Sequence, residues 1–482
     1  MIFIAAMAVF VATAIIIWDY SIDDAFITYR YAENLADGRG LVFNPGDKPI
    51  EGYSNFLWLL ILSLLYKIGL PTPETAKVLG LALMAGAGAI WYFAYEKSEE
   101  KWLWLVGPLF LICPVTVFWG LSGLELGLHA ALIAGCVILF LQRKRGTYVL
   151  LPLLILSRPE GFIIVFTLLA VGGIWDYYGH RLDAKYLIRC AGITGVALLA
   201  LTIFRLAIFG HPLPNTFYAK MHHKAIIGFW EMGRMMILFI PLGLGVVWSI
   251  VKLSIKPLNN PWLAVFLGLF LMQAVLSSRV DPVMNFLFRY LVAFLPLLIA
   301  ISIESFSDIS SRLLAVGAAT IIVLSLFLPW PRVEEYVQKT REIKAVQWAV
   351  IDWLRPKPDG TTVSMTDMGL IPYYTGKKFY DTFGLINEDI AHVGFIPKKE
   401  FLRQPDYFIM VGHRVSTGVQ MLFWREQRIA INEIFPKVYQ YKTIFTAPGV
   451  DPTDSAGYNY LVFQRRADAQ KTIKALEEMG KL

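Results

Sequence analysis

Repeated apolar runs, each close to the length of a membrane-spanning helix, constrain this chain more than any other feature of its sequence. A helix needs roughly 20 predominantly apolar residues to cross the hydrocarbon core of a bilayer. The clearest runs are Met1 to Trp18, Val78 to Tyr95, Tyr186 to Phe209, Trp262 to Leu276 and Leu313 to Leu328. Hydrophobic residues make up 56% of the 482 positions and charged residues only 17%, which is not the balance of a soluble domain. Most of residues 1–330 are therefore predicted to lie in a membrane.

The runs predict an α-helical polytopic membrane protein with about eleven transmembrane helices. After the first run, the spans are placed at about 56–70, 74–95, 102–119, 121–141, 160–177, 186–209, 236–254, 261–278, 288–304 and 311–330. Thr147 to Ser157 is too short to cross alone and is interpreted as re-entrant. The first run could also be a cleavable signal peptide, because Ala12 to Ala14 resembles a cleavage site. No Lys or Arg precedes it, so a membrane anchor is favoured.

An odd number of spans and a cytoplasmic N-terminus would place the first loop and the C-terminal region outside the cytoplasmic (inner) membrane. The positive-inside rule agrees only in part, because the cluster Arg143, Lys144 and Arg145 then falls outside. One boundary between residues 100 and 160 is therefore left open. The net charge of +7 is compatible with membrane lipids as partners and gives no indication of nucleic acid.

The sequence pattern changes at Pro331, where mixed polar sequence with short β-rich runs begins. We predict a transmembrane domain over 1–330, with a first external loop at 19–55, and a small extracytoplasmic α/β domain over 331–482. Its predicted strands and helices are Thr361 to Met365, Tyr407 to Val411, Thr443 to Thr446, Tyr458 to Phe463, Val333 to Leu354 and Ala467 to Met479. The sequence contains no nucleotide-binding glycine loop, and its three cysteines lie in apolar segments, so no disulfide framework is indicated.

The carboxylate pair Asp23-Asp24 follows the first span and precedes the amphipathic stretch Ala25 to Leu35. A carboxylate at a membrane face can take a proton from a sugar hydroxyl or hold a cation. The alternative is structural, because Ser21 and Asp24 fit an S-x-x-D cap and Asp23 would favour the helix dipole. Asp23 has the better claim to chemistry, since the cap does not use it.

Other polar residues lie close to the predicted membrane surface. Glu51, Tyr53 and Asn55 precede the second span and are suited either to binding a sugar or to anchoring the loop. Charged residues inside apolar segments are costly and usually face a cavity or each other, which singles out Glu125, Arg158 and Glu160. Lys and Arg at span ends either meet a phosphate or extend to lipid headgroups.

Two segments of the first loop resemble the membrane GT-C glycosyltransferases, and specifically the mycobacterial terminal arabinofuranosyltransferase group. They are Asp23-Asp24-Ala25-Phe26-Ile27-Thr28-Tyr29-Arg30-Tyr31-Ala32 and Glu51-Gly52-Tyr53-Ser54-Asn55-Phe56-Leu57-Trp58. Looser matches lie at 119–125, 156–161 and 212–220, so the resemblance covers most of residues 20–300. It implies a helical bundle with membrane-parallel helices in the first loop and a polyprenyl-phosphate sugar as donor. It also implies transfer of arabinofuranose to a cell-envelope glycan on the extracytoplasmic side.

Carried over by position, the resemblance implies Asp23 as the catalytic base, with Asp24 beside it. Departure of a lipid phosphate develops negative charge, which requires cations or hydrogen-bond donors nearby. The residues assigned to the donor phosphate are Arg158, Lys220, His222, Arg289 and Tyr290. Those assigned to the sugar or the acceptor are Tyr29, Arg30, Glu51, Tyr53, Asn55, Glu125, Glu160 and Asn215.

The sequence requires no cofactor, although Mg²⁺, Mn²⁺ or Ca²⁺ could be held by Asp23, Asp24 and phosphate oxygens. A metal ligated by His222 and His223 is disfavoured, because adjacent histidines rarely share one ion. The stereochemistry stays open. A carboxylate that acts only as a base predicts inversion at the sugar, whereas a β-linked donor giving a β-linked product would need retention.

Two other functional classes remain as alternatives to a transferase. A transporter or flippase of lipid-linked sugars would also combine many spans with buried charges, but the sequence contains no inverted repeat or matched pair of broken helices. A scaffold that recruits cell-envelope proteins is the third class. In the C-terminal region, Asp367 is expected to cap a helix that packs against the membrane part rather than to contact the acceptor.

Overall fold

Helices form the first two thirds of the protein and a small sheet forms in the remainder. The computed structural model describes residues 1–97, 102–178, 183–220, 240–255, 261–277, 286–306, 320, 322–415, 418–453 and 457–479. The helices of the first part are α1 (Ile2–Ile16), α2 (Ala25–Ala36), α3 (Phe56–Lys67), α4 (Thr72–Tyr95), α5 (Val106–Ile112), α6 (Pro114–Leu121), α7 (Leu126–Leu141), α8 (Thr147–Ser157), α9 (Gly161–Tyr178), α10 (Ala184–Phe209), α11 (Asn215–Lys220), α12 (Ile240–Ile255), α13 (Pro261–Ser277) and α14 (Leu295–Phe306). Short 3₁₀ turns, Leu103–Leu105 and Val292–Phe294, precede α5 and α14.

In the part of the chain that the structure describes, most apolar runs form helices where the sequence predicts them, which confirms the helical membrane architecture. Part of the predicted span at 311–330 lies outside the described residues. Asp183 begins α10 by accepting a hydrogen bond from the Tyr186 amide at 3.0 Å. The side chains of Ile188 and Val196 on α10 are each 69% exposed, as expected for a helix that faces lipid. Within the described residues, α4, α9 and α10 are long and apolar enough to cross a membrane alone. Most other apolar helices have only 10–17 residues, so the total of about eleven spans stays a prediction.

One predicted span is bent instead of forming a single straight helix. The run at 102–119 is not one helix, because α5 and α6 meet at 63°. Pro114 has no N–H to continue the hydrogen-bond ladder, and it holds Cys113 in an extended conformation with φ −72° and ψ 122°. The following helix, α7, begins only at Leu126. This break lies in the interval where the charge pattern left a boundary open.

The first loop is an internal layer between the membrane helices and the C-terminal domain. Tyr29 and Tyr31 on α2 are completely buried. On the side of the C-terminal domain, the rings of Phe26 and Tyr373 lie 5.4 Å apart, and Arg30 Nη2 donates to the Lys377 carbonyl at 2.9 Å. The first loop is therefore packed between the membrane helices and the C-terminal domain.

The C-terminal domain begins with the long helix α15 (Trp330–Leu354). Its strands are β1 (Thr362–Met365), β2 (Lys378–Asp381), β3 (Tyr407–Val415), β4 (Gly418–Met421), β5 (Tyr439–Phe445) and β6 (Asn459–Arg465). Its other helices are α16 (Leu370–Thr375), α17 (Glu388–Val393), α18 (Pro397–Leu402), α19 (Trp424–Ala430), α20 (Phe435–Val438) and α21 (Ala469–Glu478). The predicted strands and both predicted helices are confirmed, while β2 and β4, each only four residues long, were not predicted.

The sheet has the order β2-β1-β3-β6-β5, and β4 pairs with β3. Strands β1, β2 and β3 run parallel, whereas β6 is antiparallel to both β3 and β5. Alternating residues of β3 face two different cores. Ile409 and Val411 belong to a core that continues into the membrane helices, while Phe408 and Met410 belong to the outer core of the domain. One face of the sheet is thus packed onto the membrane part.

Candidate active site

A cavity of about 430 Å³ opens between the first loop, the junction of α8 and α9, helix α11 and the segment before α14. One wall is apolar and contains Phe162, Ile163, Leu213, Phe217 and Leu276. The ionisable lining residues include Asp24, Glu125, Glu160, Arg158, Lys220, Arg289 and Tyr290. Among the described lining residues, three carboxylates therefore face three cations beside an apolar wall. Such a site suits a molecule with an anionic head and a hydrocarbon tail.

Asp24 contributes a carboxylate to this cavity. Its Oδ2 accepts a hydrogen bond from Arg289 Nη1 at 2.8 Å, and its side chain is 34% exposed. Burial would raise the pKa of Asp24, but the positive charges of Arg289 and Lys220 hold it below its usual range. Asp24 occupies the cap position of α2 without making a side-chain capping bond. The expectation that Asp24 serves as a helix cap is therefore wrong, and its carboxylate is ionised at the cavity surface.

Asp23 points to the other side of the loop, into the C-terminal domain. Its Oδ1 accepts from the Leu370 amide and from Gln347 Nε2, both at 2.8 Å, and its Oδ2 accepts from the Gly369 amide at 3.1 Å. Gly369 is required at this contact, because a Cβ there would overlap the Asp23 carboxylate. Asp23 does not line the cavity. The structure thus places the predicted base away from the cavity, where its carboxylate caps the first turn of α16.

Asp367 completes the polar cluster around Asp23. Its Oδ2 accepts hydrogen bonds from the hydroxyls of Tyr458 and Tyr460, each at 2.6 Å. Burial and the nearby Asp367 carboxylate raise the pKa of Asp23 to about 7, against the hydrogen bonds that it accepts. Asp367 lies at the predicted junction with the membrane part, but the expected cap is wrong, because α16 is capped by Asp23 from the first loop.

A second polar group forms the floor of the cavity. Arg158 forms ion pairs with Glu125 and, through Nε at 2.6 Å, with Glu160. Asn55 Nδ2 donates to Glu125 Oε2 at 2.7 Å, and Thr28 Oγ1 donates to Asn55 Oδ1 at 3.2 Å. Both halves of the sequence expectation are met here, since these charged residues face each other and also face a cavity.

Tyr290 lies between the two guanidinium groups of the cavity. The Arg158 and Arg289 guanidinium carbons lie 5.2 and 5.8 Å from its ring centre. Cation–π contacts of this kind orient guanidinium groups and hold them in place. The predicted phosphate-binding residues Arg158, Arg289 and Tyr290 are therefore brought together, and Lys220 lines the same cavity. His222 lies outside the described residues.

Four residues predicted to bind sugar have other roles in the structure. Tyr29 is buried and donates to the Gly123 carbonyl, while Arg30 donates to carbonyls of Phe43 and Lys377. Glu51 forms a bidentate ion pair with Arg205. Asn215 Nδ2 donates to the carbonyls of Gly384 and Leu385 at 2.9 and 2.8 Å.

None of Tyr29, Arg30, Glu51 and Asn215 lines the described cavity, so their assignment to a sugar is corrected. The physical reason is that Tyr29, Arg30, Glu51 and the Nδ2 of Asn215 are hydrogen-bonded to other parts of the protein. Tyr53 and Asn55 do line the cavity, as do Glu125 and Glu160.

Several cavity residues were not predicted. Thr216 lies four residues before Lys220 on α11, a spacing that puts both on one helix face and could have indicated it. Gln273 donates to the Tyr290 carbonyl at 2.9 Å. A polar amide within an apolar helix is unusual, and this could have indicated that Gln273 faces a cavity. Leu385 closes the cavity from the C-terminal domain, and no local pattern marks it.

The carboxylates of Asp23 and Asp24 do not come together in one site that could hold a divalent cation between them. The Asp23 carboxylate accepts amide hydrogen bonds in the C-terminal domain, whereas the Asp24 carboxylate pairs with Arg289 in the cavity. Across the described ranges, no group of three His, Cys, Asp or Glu residues could hold a metal ion. A cation held by one of these carboxylates together with phosphate oxygens stays a prediction.

Solved membrane-protein structures share this fold over nearly the whole chain. ArnT from Cupriavidus metallidurans in the apo state aligns with a TM-score of 0.56 and 13% identity, covering 96% of this chain and 98% of that chain. The same protein bound to undecaprenyl phosphate aligns with a TM-score of 0.58 and 12% identity over the same shares. The archaeal oligosaccharyltransferase AglB from Archaeoglobus fulgidus, in complex with an inhibitory peptide and a dolichol-phosphate, aligns with a TM-score of 0.59 and 11% identity, covering 95% and 88%.

These matches establish the GT-C fold with a small C-terminal sheet domain. They do not bear out the narrower resemblance to the arabinofuranosyltransferase group, which stays a prediction. A family model described as a domain of unknown function, DUF8728, matches residues 335–463, which lie within the C-terminal domain. No curated protein sequence matches the chain.

Proposed function

We propose that this protein is a glycosyltransferase that moves a sugar from a polyprenyl-phosphate donor to a glycan acceptor. The observation that carries the proposal is the Asp24 carboxylate, ion-paired with Arg289 in a cavity that also contains Lys220 and an apolar wall. A transferase of this kind needs a carboxylate that takes the proton of the acceptor hydroxyl, cations for the leaving phosphate and an apolar surface for the lipid. The cavity contains all three.

The donor class is supported by two lines of evidence. ArnT was solved with undecaprenyl phosphate and AglB with a dolichol-phosphate, and both share the fold of this chain. In this chain, Phe162, Ile163 and Leu276 would contact the first isoprene units. Arg289 and Lys220 would meet the phosphate, whose negative charge grows as the bond to the sugar breaks.

The proposed reaction is a direct displacement at the anomeric carbon. The acceptor oxygen forms a bond to that carbon while the bond to the phosphate oxygen breaks, and the electron pair leaves with the polyprenyl phosphate. Asp24 accepts the proton of the acceptor hydroxyl. A carboxylate of low pKa suffices, because the hydroxyl becomes strongly acidic as its oxygen bonds to the anomeric carbon. This route inverts the anomeric centre, and retention would instead require a nucleophile or a front-face path.

The polar floor is the proposed sugar site. Asn55, Glu125 and Glu160 offer acceptors and donors to sugar hydroxyls, and Arg158 holds the two glutamates in place. The resemblance of the first loop supports a pentose, and specifically arabinofuranose, as the transferred sugar. We further propose that the cavity and the C-terminal domain face the extracytoplasmic side of the inner membrane, as in the orientation that the odd span count predicts.

The test is transfer of radiolabelled sugar by purified protein in lipid. A panel of polyprenyl-phosphate sugars, including arabinofuranose, is offered with arabinose-containing and other oligosaccharides, using the wild type, Asp24→Asn and Asp23→Asn. Transfer by the wild type and loss in Asp24→Asn alone would support both reaction and residue. Movement of the lipid-linked sugar across proteoliposomes without any glycosidic product would support a transporter and contradict the proposal.

A further inference from the structure

The C-terminal domain has an exposed surface formed by residues 393–403 and 422–431, here called the apolar-basic surface. The two segments touch, since the rings of Phe395 and Trp424 lie 6.1 Å apart. Its large exposed apolar side chains are Val393 (65% exposed), Ile396 (39%), Leu402 (45%), Leu422 (57%), Trp424 (56%) and Ile431 (68%). Apolar groups concentrated in this way mark an interaction surface.

Helix α19 is amphipathic with its apolar-basic face outward. Trp424 and Arg428 occupy positions i and i+4 and therefore share one side of the helix, and Ile431 follows directly after its last residue. The Arg428 guanidinium carbon lies 5.8 Å from the Trp424 ring centre. On the opposite side, Glu426 and Ile429 are buried, at 1% and 0% exposure. The exposed face thus combines an aromatic ring, a cation and an aliphatic side chain.

The charges that reach this surface are basic. The two segments contain Lys398, Lys399, Arg403, Arg425 and Arg428. Their carboxylates, Glu400 and Glu426, are both 1% exposed, so neither contributes to the outer face. Asp389 on α17 lies 3.8 Å from Lys399 and 4.0 Å from Arg403, and Glu400 lies 3.6 Å from Arg403, so these carboxylates offset part of the charge. The remaining positive potential attracts anionic groups and would repel a second copy of the same surface.

The position of the surface relates it to the membrane. His392, the residue before Val393, stacks on His211 with ring centres 4.3 Å apart. His211 comes two residues after the end of α10, whose last turn exposes Leu206 (49%) and Ile208 (43%). The apolar-basic surface therefore starts where the lipid-facing side of a transmembrane helix ends.

We propose that the apolar-basic surface lies in the headgroup layer of the membrane and binds anionic phospholipid. Trp424 and the aliphatic side chains enter the interface, where tryptophan is enriched, and the basic side chains extend to lipid phosphates. This contact anchors the C-terminal domain independently of the chemistry in the cavity, so the proposal does not depend on the transferase activity.

The test measures lipid contact at single labelled positions of the full chain. Leu422→Cys and, as control, Tyr441→Cys on strand β5 are labelled with an environment-sensitive fluorophore; Cys113, Cys136 and Cys190 are buried and should not react. Each protein is placed as one copy per nanodisc containing spin-labelled lipid. We expect the label at 422 to be quenched several-fold more than the label at 441, and more strongly when anionic lipid replaces zwitterionic lipid.

Charge reversal separates lipid binding from other contacts. Lys398→Glu with Arg428→Glu should abolish the dependence of quenching on anionic lipid, whereas Lys442→Glu with Lys474→Glu, the same charge change elsewhere on the domain, should not. Equal quenching at positions 422 and 441 would overturn the proposal. Shielding of the label at 422 that appears in lipid-free detergent and rises with protein concentration would also overturn it, because it would identify a second copy as the occupant.

Discussion

Asp23 and Asp24 are neighbours in the chain, yet their carboxylates lie in opposite environments. Asp23 accepts hydrogen bonds from Gly369 and Leu370, and burial together with Asp367 raises its pKa to about 7. Burial would also raise the pKa of Asp24, but the positive charges of Arg289 and Lys220 lower it. The chain turns into α2 at this point, so one carboxylate is directed to the C-terminal domain and the other to the cavity. Adjacent acidic residues can thus divide structural and chemical roles between them.

The largest effect is expected from exchanging the cavity carboxylate. Asp24→Asn should lower the rate of sugar transfer by about 10²–10⁴, the usual contribution of a positioned base. Asp23→Asn should lower it by less than about tenfold, because the amide oxygen still accepts a hydrogen bond from α16. Initial rates at saturating donor measure both. Equal losses in the two variants would abolish the distinction between the residues.

The next effect concerns the cation beside Asp24. Arg289→Gln removes the charge that lowers the Asp24 pKa, while burial continues to raise it. Asp24 would then be protonated at higher pH, so the acid limb of the transfer rate should move upward in pH. Arg289→Lys keeps a positive charge, so its acid limb should lie close to that of the wild type. A pH profile between about 4 and 8 measures the shift, and an unchanged profile in Arg289→Gln would contradict the role of Arg289.

Asp23 should affect the pH dependence of folding stability more than the rate of sugar transfer. Its pKa is raised from 3.8 to about 7, so between these values the folded state binds more protons than the unfolded state. Stability therefore falls as pH rises through this window. Asp23→Asn should flatten that fall relative to the wild type, because it removes both the titration of Asp23 and its charge repulsion with Asp367. Melting temperatures in detergent at pH 5 and pH 8 compare the two. A parallel decline in both would assign the pH dependence to other groups.

The smallest effect is expected at the more distant cation. Lys220→Gln should raise the donor KM by about fivefold, equivalent to about 1 kcal/mol, because a partly exposed ammonium contributes little to binding. Lys48→Gln removes an exposed charge outside the cavity and should leave the donor KM unchanged. Steady-state titration of donor measures both. A loss at Lys220 as large as that at Asp24 would make Lys220 part of the chemical step.

The sequence identified some cavity residues and could not separate them from their neighbours. Glu125, Arg158 and Glu160 were singled out because charged groups in apolar segments are costly unless they face a cavity or each other, and they do both. Arg30 and Glu51 were assigned to the sugar because they are polar residues of the first loop close to the predicted membrane surface. They are instead bonded to the Lys377 carbonyl and the Arg205 guanidinium, partners more than 150 positions away that no local pattern reveals.

What the sequence determined by itself is the class of fold. The length of the apolar runs required membrane helices, and short alternating runs after Pro331 required a small sheet, because these periods depend only on local geometry. Tertiary structure alone decided which carboxylate faces the cavity, since Gly369 and Leu370 approach Asp23 only after the C-terminal domain docks on the first loop. It likewise brought Leu385 to the cavity and His392 to the end of α10. Contacts between segments so far apart arise from packing, which local sequence does not encode.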